Sequence, residues 1–288
     1  MRISGFTFLR NAVLNGFPFE ESIKSVLPIC DEFVVVIGQG QDETLNRVCS
    51  LDDPKIRVVE TIWNEKMQDR GFIYGQQKMI GMYHCTGDWA FYLEGDEVLH
   101  EADLPMIREN MERYLDDPAT EAFYFDYYHF YGTPNQVGIG GYRRAPRIIR
   151  NTIRAIAPGG LYFVVQEKNK RGRYPKARRA GGHIYHYGHV RKIEKMNEKI
   201  QQVSAFWNGN VPKLMDSYGH IDIAELRRFR GTHPSVMEFW LEHEAEWQFI
   251  QDPAYRLSVR DRKNRIKFWL EDRLGIELSK KHYIDLER

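Results

Sequence analysis

The sequence lacks the features that mark membrane-spanning or secreted proteins. No stretch of its 288 residues approaches the ~18 consecutive apolar residues that a membrane span needs. The N-terminus also lacks the basic, apolar and small-residue succession of a signal peptide. The three cysteines, Cys30, Cys49 and Cys85, match neither a metal-binding spacing nor a disulfide framework. These absences favour a protein of the reducing cytoplasm.

The net charge is only +1, but the charges are unevenly distributed along the chain. Residues 88–126 contain twelve Asp or Glu against two Arg, and residues 143–179 contain twelve Lys or Arg against one Glu. One interpretation is that both segments are solvated surfaces. The other is that an acidic edge, which binds a metal ion, faces a basic edge, which binds an anion, across one cleft.

The first 126 residues alternate short β-rich runs with helical patterns, which is typical of βαβ units in a mostly parallel sheet flanked by helices. Glu32–Gly38 is a nearly continuous apolar run, as expected for a strand that is buried on both faces. Strands are predicted over 3–9, 32–38, 56–62, 88–93 and 121–131. Helices are predicted over 19–27, 71–84 and 104–115.

Beyond residue 190 the apolar pattern becomes helical, and its three stripes are rich in tryptophan. The stripes contain Trp207, then Trp240 and Trp247, then Trp269. Stripes of this kind are more often core contacts than parts of a cofactor site. We therefore expect an α/β domain over residues 1–190 and a helical C-terminal extension over residues 191–288.

The end of the fourth predicted strand carries an acidic cluster, Glu94-Gly95-Asp96-Glu97. Ligands of open parallel sheets bind beyond the carboxyl ends of the strands, so this cluster lies where a ligand is expected. Carboxylate oxygens suit Mg²⁺ or Mn²⁺, which in turn bind phosphate oxygens. The alternative interpretation is a solvated acidic turn.

The segment 86–97, with the sequence Thr-Gly-Asp-Trp-Ala-Phe-Tyr-Leu-Glu-Gly-Asp-Glu, resembles the metal motif of family 2 glycosyltransferases. That family usually has Gly-Asp-Trp, an apolar run and then Asp-Ala-Asp-Glu. The order of strands and helices before the motif is also similar. The resemblance covers roughly residues 1–130, with a weaker likeness to about residue 190. It implies a GT-A fold, a nucleotide-sugar donor, a divalent cation and inversion at the anomeric carbon.

The resemblance assigns roles to the acidic cluster residue by residue. Asp96 matches the metal ligand, and Glu94 matches an Asp that contacts the metal or the donor ribose. Glu94 keeps the charge of that Asp but is one methylene longer. A second departure is Ile37, which stands where the family usually has the Asp that reads the base.

The turn after the valine-rich strand is the predicted nucleotide-binding loop. Asp42 matches a later Asp of the family in this turn, and Gln39 offers an amide for the edge of a base. Gly38 and Gly40 begin a Gly-x-Gly pattern. Glu43 stands at the third glycine position, so the dinucleotide fingerprint is weak.

Basic residues complete the predicted donor site. The candidates are Arg10, Lys78, Arg144 and Arg147. Arg144 and Arg147 are favoured because a guanidinium fork binds a diphosphate or an anionic acceptor with paired hydrogen bonds. The rival interpretation of these arginines is a solvated strand face.

The aromatic strand over residues 121–131 supplies the candidate catalytic bases, Asp126 first and His129 second. Inverting transfer needs a carboxylate or an imidazole that takes the proton of the acceptor hydroxyl during attack. The alternative for each residue is a hydrogen-bonded polar group in an aromatic strand.

Three histidines, His183, His186 and His189, lie close together just before a predicted helix. A His-Tyr-Gly-His that closes the α/β domain resembles the late histidine that some GT-A enzymes use as a ligand for metal or phosphate. His186 and His189 are therefore candidate metal ligands beside Asp96 and Glu94. A structural role is the alternative.

The sequence thus favours a metal-dependent inverting glycosyltransferase. The donor is a nucleotide sugar, the cation is Mn²⁺ or Mg²⁺, and the acceptor is a hydroxyl of a glycan, a lipid-linked carrier or a cell-surface polysaccharide precursor. The basic segment 168–179 favours such an acceptor, or contact with the inner face of the membrane, over nucleic acid. The alternatives are a nucleotidyltransferase and an inactive relative that binds sugar nucleotides.

Overall fold

Strands and helices alternate in the first half of the chain, and strands dominate the middle. The computed structural model describes residues 1–207 and 213–287. Its strands are β1 (Ile3–Leu9), β2 (Glu32–Gly38), β3 (Ile56–Thr61), β4 (Trp89–Tyr92), β5 (Glu97–Leu99), β6 (Ala122–Tyr131), β7 (Thr133–Gly138), β8 (Arg144–Arg150), β9 (Ala155–Ile156), β10 (Val164–Gln166), β11 (Gly172–Arg173), β12 (Lys176–His189), β13 (Leu226–Arg228) and β14 (Ile284–Asp285). Its α-helices are α1 (Phe19–Val26), α2 (Thr44–Cys49), α3 (Phe72–His84), α4 (Leu104–Arg113), α5 (Ile193–Ser204), α6 (Glu238–His243) and α7 (Val259–Leu274).

The main sheet has a parallel part that is built from N-terminal residues. β1 lies between β2 and β4, β2 pairs with β3, and all three pairs are parallel. Residues 33–37 of β2 are buried, as their apolar sequence predicts. The carboxyl ends of these strands therefore meet at one edge, with Gly38 at the end of β2 and Asp96 just beyond the end of β4.

The rest of the main sheet is mixed, which corrects the expectation of a mostly parallel sheet. β8 is antiparallel to β4 and to β6, and β7 is antiparallel to β6. Only Gly132, with φ of +72°, separates β6 from β7. Such a short connection joins antiparallel strands, because parallel neighbours need a long crossover. β12 then pairs with β6 in parallel and with β5 in antiparallel orientation.

Helices pack on both faces of the parallel part. On one face, α1 and α4 contribute Ile23 and Ile107 to a core cluster with Phe33 of β2. On the other face, α3 contributes Met82 to a cluster with Val34. Neighbouring residues of β2 thus point to opposite layers, as the period of a strand requires.

The chain after residue 190 combines helices with strands of the main sheet. β13 pairs with β7, and β14 pairs with β12. The predicted boundary at residue 190 stays a prediction. In the part of the chain that the structure describes, no helix is long and apolar enough to cross a membrane.

The third tryptophan stripe is not a core contact. Trp269 and Ile266 of α7 are 64% and 62% exposed. The buried face of α7 is set by Phe268 and by two acidic residues, Asp261 and Glu271. Glu271 binds Arg143, and Asp261 forms the capping box at the start of the helix, so polar contacts rather than the apolar stripe orient it.

Candidate functional site

A cleft of about 830 Å³ opens at the carboxyl edge of the parallel strands. This size lies within the ~300–1,000 Å³ that is usual for small-molecule sites. Its aromatic lining includes Phe17, Trp63, Tyr74, Phe206 and Trp207. Its charged lining consists of Arg10, Glu65, Arg70, Glu94, Asp96 and Lys199. The cleft therefore joins flat apolar surfaces to charges of both signs.

The strand ends place the acidic motif in this cleft. β4 ends at Tyr92, and the residues that follow bring Glu94 and Asp96 into the lining. A β-carbon on the intervening Gly95 would lie 2.8 Å from Cδ2 of Leu9, at the end of β1. Gly95 thus permits the close approach of two strand ends.

Asp96 is a buried carboxylate that two cations share. Its Oδ2 accepts hydrogen bonds from Arg191 and from Lys199, each at 3.0 Å. Its Oδ1 lies 3.6 Å from Nε2 of His186. Burial alone would raise the pKa of Asp96, but the positive charges of Lys199 and Arg191 outweigh it and hold that pKa well below its usual range. Asp96 is therefore ionised at neutral pH.

Glu94 belongs to a second, adjoining cluster around Arg147. This arginine is fully buried, and it donates to Glu97 at 2.6 and 2.7 Å and to Glu94 at 3.1 Å. Tyr127 donates a further hydrogen bond to Glu97 at 2.9 Å. Burial first, and then the charge of Glu97, raise the pKa of Glu94 to about 7. Glu94 thus changes its charge near neutral pH at the surface of the cleft.

The predicted histidine ligands lie behind the acidic motif. Nδ1 of His186 is 2.9 Å from Nδ1 of His129, and Nε2 of His129 is 2.8 Å from the carbonyl oxygen of Tyr142. A carbonyl only accepts, so His129 carries its proton on Nε2, and Nδ1 of His186 donates to it. Burial lowers the pKa of His186 to about 3 and that of His129 to about 4, so both rings are neutral at pH 7.

His189 lies apart from this pair. Its ring centroid is 6.2 Å from that of His186, and the ring stacks on Tyr131 at 5.7 Å. Neither His186 nor His189 belongs to the lining of the cleft. His186 contacts Asp96 from the protein interior, and His189 is exposed at the end of β12.

The residues at the acidic motif do not fit a divalent cation. Mg²⁺ and Mn²⁺ prefer several oxygen ligands, but Oδ2 of Asp96 already binds two cations and Oε1 of Glu94 binds Arg147. Within residues 1–207 and 213–287, no group of three or more His, Cys, Asp or Glu is arranged to hold a metal ion. The predicted metal set of Asp96, Glu94, His186 and His189 stays a prediction that this arrangement does not favour.

The predicted nucleotide-binding residues have separate locations. Arg10 lies in the cleft, where its guanidinium stacks on Trp63 at 5.1 Å and its Nε donates to the carbonyl oxygen of Gln39 at 2.9 Å. Asp42 uses its carboxylate within the loop, accepting from the amide of Leu14 at 2.8 Å and from the hydroxyl of Thr44 at 2.6 Å. The carboxylate of Asp42 thus holds the loop rather than lining the cleft.

Gly38 and Lys78 support the cleft from behind. A β-carbon on Gly38 would lie 2.2 Å from Nε1 of Trp63, so the glycine lets this ring pack. Lys78 is fully buried and donates to the carbonyl oxygen of Gly160 at 2.8 Å. Its ammonium lies over the ring of Phe163 at 3.8 Å, and burial holds its pKa well below the usual value. Lys78 therefore fixes a cleft wall without entering the lining.

The first candidate base, Asp126, lines a different cavity of about 660 Å³. Arg144 donates to its carboxylate at 2.7 Å, and Arg179 lies 3.2 Å from it. The second candidate, His129, is a neutral, half-buried ring. Their assignment as catalytic bases stays a prediction, and neither side chain reaches the cleft that holds Asp96.

The acidic and basic segments meet through ion pairs, at the cleft through Arg147 and Glu94 and also away from it. Arg173 of β11 lies 2.6 Å from Glu121, which precedes β6, and Arg178 of β12 lies 3.3 Å from Asp117. The acidic and basic segments thus pair with each other at several places in the fold.

Sequence reasoning missed most of the cleft lining. Trp63 lies in the loop between β3 and α3, and Tyr74 lies in the first turn of α3. Lys199 and Gln202 belong to α5, and Phe206 lies in the turn that follows this helix. The helical stripe after residue 190 predicts α5 but not that its polar face closes the cleft. No local pattern distinguishes Lys199 from the neighbouring surface lysines.

Comparisons with known proteins give only distant likenesses. No protein-family model matches the sequence, and no curated protein is significantly similar to it. The crystal structure of S. aureus TarS is 16% identical with a TM-score of 0.37, and the match covers 52% of this chain and 28% of that chain. TarS 1–349 in complex with UDP gives the same identity and score over 47% of that chain, and its complex with UDP-GlcNAc gives 15% and 0.36 over 46%. The match thus spans less than half the length of these TarS chains, and likenesses of this size do not define a family for this protein.

Proposed function

We propose that this protein is an inverting glycosyltransferase that binds a nucleotide sugar in the cleft beside Asp96. The observation that carries the proposal is the composition of this cleft at the carboxyl edge of β1 and β4. Parallel sheets bind ligands at this edge, aromatic faces suit a nucleoside, and nearby cations suit a diphosphate.

The aromatic wall is the proposed nucleoside site. Trp63 packs edge-on against Tyr74 and Phe206, with ring centroids 5.7 and 5.5 Å apart. Arg10 covers Trp63 from one side, and Trp207 at the rim is half-exposed. A rigid aromatic surface of this kind binds a base at low cost in conformational entropy.

Glu94 is the proposed general base. It lies in the cleft, Arg147 fixes one of its oxygens, and its pKa of about 7 suits proton transfer at neutral pH. The acceptor oxygen attacks the anomeric carbon while its proton moves to Glu94. The bond between that carbon and the diphosphate oxygen breaks, and the nucleoside diphosphate leaves with the electron pair.

The proposed acceptor is a hydroxyl of a glycan or of a lipid-linked carrier. Lys168, Lys170 and Arg171 of the basic segment are exposed, whereas Arg173 and Arg178 are paired with carboxylates. Three exposed cations between β10 and β11 suit an anionic acceptor or an anionic membrane surface.

The test is a thermal-shift and calorimetric screen of the purified protein against nucleotide sugars that carry uridine, guanosine, adenosine or cytidine. We expect one donor class to raise the melting temperature and to be hydrolysed slowly, with release of a nucleoside diphosphate. Matched sugar phosphates without a nucleoside should not bind. The absence of any stabilising nucleotide sugar would contradict the proposal.

The same screen separates the two alternatives. A nucleotidyltransferase would release inorganic pyrophosphate from a nucleoside triphosphate and a sugar phosphate. An inactive relative would bind the donor without hydrolysis or transfer under any acceptor.

A further inference from the structure

The two cations that contact Asp96 also suggest how the diphosphate of the donor is bound. We propose that Lys199, supported by Arg191, takes the place of a divalent cation and binds the diphosphate of the donor directly. The inference rests on the proposed function, because it concerns the same donor in the same cleft. It makes nucleoside diphosphate binding independent of metal.

The position that a metal ion would need is held by protein cations. Nη2 of Arg191 and Nζ of Lys199 both lie 3.0 Å from Oδ2 of Asp96. A divalent cation that bound this oxygen would meet the repulsion of two positive charges at short range. The positive charge beside the carboxylate is therefore already supplied by the chain.

The two cations have different roles because their exposure differs. Arg191 is fully buried, and its Nη1 donates to the carbonyl oxygen of Asn15 at 2.6 Å. Its Nε is also buried and has no hydrogen-bond partner among the residues that the structure describes, so its charge is only partly satisfied. Lys199 is 20% exposed at its side chain and lines the cleft. Arg191 is therefore the fixed supporting charge, and Lys199 is the group that contacts the ligand.

Lys199 keeps donors for a ligand while it binds Asp96. An ammonium has three N–H groups, and Asp96 accepts one of them. The ring of Phe17 lies 5.1 Å from Nζ of Lys199 and 4.6 Å from the guanidinium of Arg191, so it borders both cations. One carboxylate and two cations leave a net charge of +1 at this wall, which suits a phosphate group.

The α5 helix supplies a matched control for this lysine. Lys195 lies one turn before Lys199, is partly exposed and pairs with Glu198 at 3.5 Å. It does not belong to the lining of the cleft. Lys195→Gln therefore removes the same charge from the same helix without changing the proposed contact.

The experiment measures binding of UDP, GDP, ADP and CDP by calorimetry, first in EDTA and then with Mn²⁺. We expect one nucleotide to bind the native protein equally well in both buffers. Lys199→Gln should weaken that binding about 10- to 100-fold in EDTA, since it removes a charged hydrogen bond. Lys199→Arg should retain most of the affinity, and Lys195→Gln should retain all of it. Melting curves verify that each variant is folded.

Mn²⁺ alone provides a second readout that requires no nucleotide. Electron paramagnetic resonance should detect no tight Mn²⁺ site in the native protein. Nucleotide binding that appears only with Mn²⁺, or an unchanged affinity in folded Lys199→Gln, would overturn the inference and leave the proposed function standing. Failure of all four nucleotides to bind in either buffer would overturn the proposed function, and the inference with it.

Discussion

The ammonium of Lys199 donates a hydrogen bond of 3.0 Å to the carboxylate of Asp96, although 103 residues separate them in the chain. Asp96 follows β4 of the parallel sheet, and Lys199 is in α5. The contact thus joins residues on either side of the predicted boundary at residue 190. The cleft is complete only when α5 is docked on the sheet edge.

The first prediction concerns Arg147, the buried centre of the Glu94 and Glu97 cluster. Arg147→Met should lower the free energy of unfolding by ~3–5 kcal/mol, because Glu97 would remain fully buried without its cation. Urea denaturation measures the change. Arg154→Met, at an exposed position, is the matched control. A loss below about 1 kcal/mol would show that the cluster does not depend on the ion pair.

The second prediction concerns pH and the buried histidines. Burial lowers the pKa of His129 to about 4 and that of His186 to about 3, from an unfolded value of 6.5. As the pH falls from 6.5 to about 4, the unfolded chain therefore binds protons that the folded protein does not. The free energy of unfolding should fall over this window by up to ~1.4 kcal/mol per pH unit for each histidine.

The pH dependence of the unfolding free energy in single variants shows which histidine binds each proton on unfolding. The slope of the unfolding free energy against pH is proportional to the number of protons that the unfolded chain binds in excess of the folded protein. His129→Gln should reduce this number by about one, and His84→Gln, at an exposed position, should leave it unchanged. Equal slopes in all three proteins would contradict the neutral state of His129.

The third prediction concerns the packing of Gly38 on Trp63. Gly38→Ala would place a methyl group 2.2 Å from Nε1 of Trp63, so the ring must move. We expect a loss of ~1–3 kcal/mol in stability and a weaker affinity for the donor, because Trp63 forms part of the aromatic wall. Gly141→Ala is the control, since a β-carbon there meets no atom of the described residues within 4 Å. Equal donor affinity in the two variants would remove Trp63 from the proposed nucleoside site.

Local sequence patterns predicted the parallel part of the fold well. Apolar runs gave β1 and β2, and the Gly-Asp-Trp segment gave β4 with Asp96 beyond its end. These strands are predictable because the apolar residues that they bury form local runs in the sequence. The antiparallel part was not predicted, because strand direction depends on which strands pair.

The environment of Asp96 could not be predicted in the same way. The sequence indicates an acidic motif, but Arg191 and Lys199 reach it only through the docking of α5. Similarly, the aromatic strand of Asp126 was predicted, but its side chain meets Arg144 in another cavity. Ion pairs between residues far apart in the chain produce no periodic pattern in the sequence. The motif therefore predicts where the acidic residues lie but not which cations they bind.

The last prediction concerns Glu94 as the general base of the proposed transfer. Burial first, and then Glu97, raise the pKa of Glu94 to about 7, so the carboxylate is protonated below this pH and ionised above it. Only the ionised form accepts a proton, so kcat/KM of the native protein should rise with pH through about 7. Glu94→Gln should abolish this rise and lower kcat by ~10²–10⁴.

The separate effects of Glu94→Gln on kcat and on donor affinity distinguish a general base from a group that binds the donor. If Glu94 takes the proton, Glu94→Gln should lower kcat while the donor affinity, measured by calorimetry, changes little. If Glu94 instead contacts the donor ribose, the affinity should fall and kcat should stay near the native value. Glu112→Gln, exposed on α4, controls for the loss of one carboxylate and should keep the native pH profile. A folded Glu94→Gln protein that retains both kcat and the rise near pH 7 would exclude Glu94 as the base. Glutamine does not titrate, so the rise would then come from another residue.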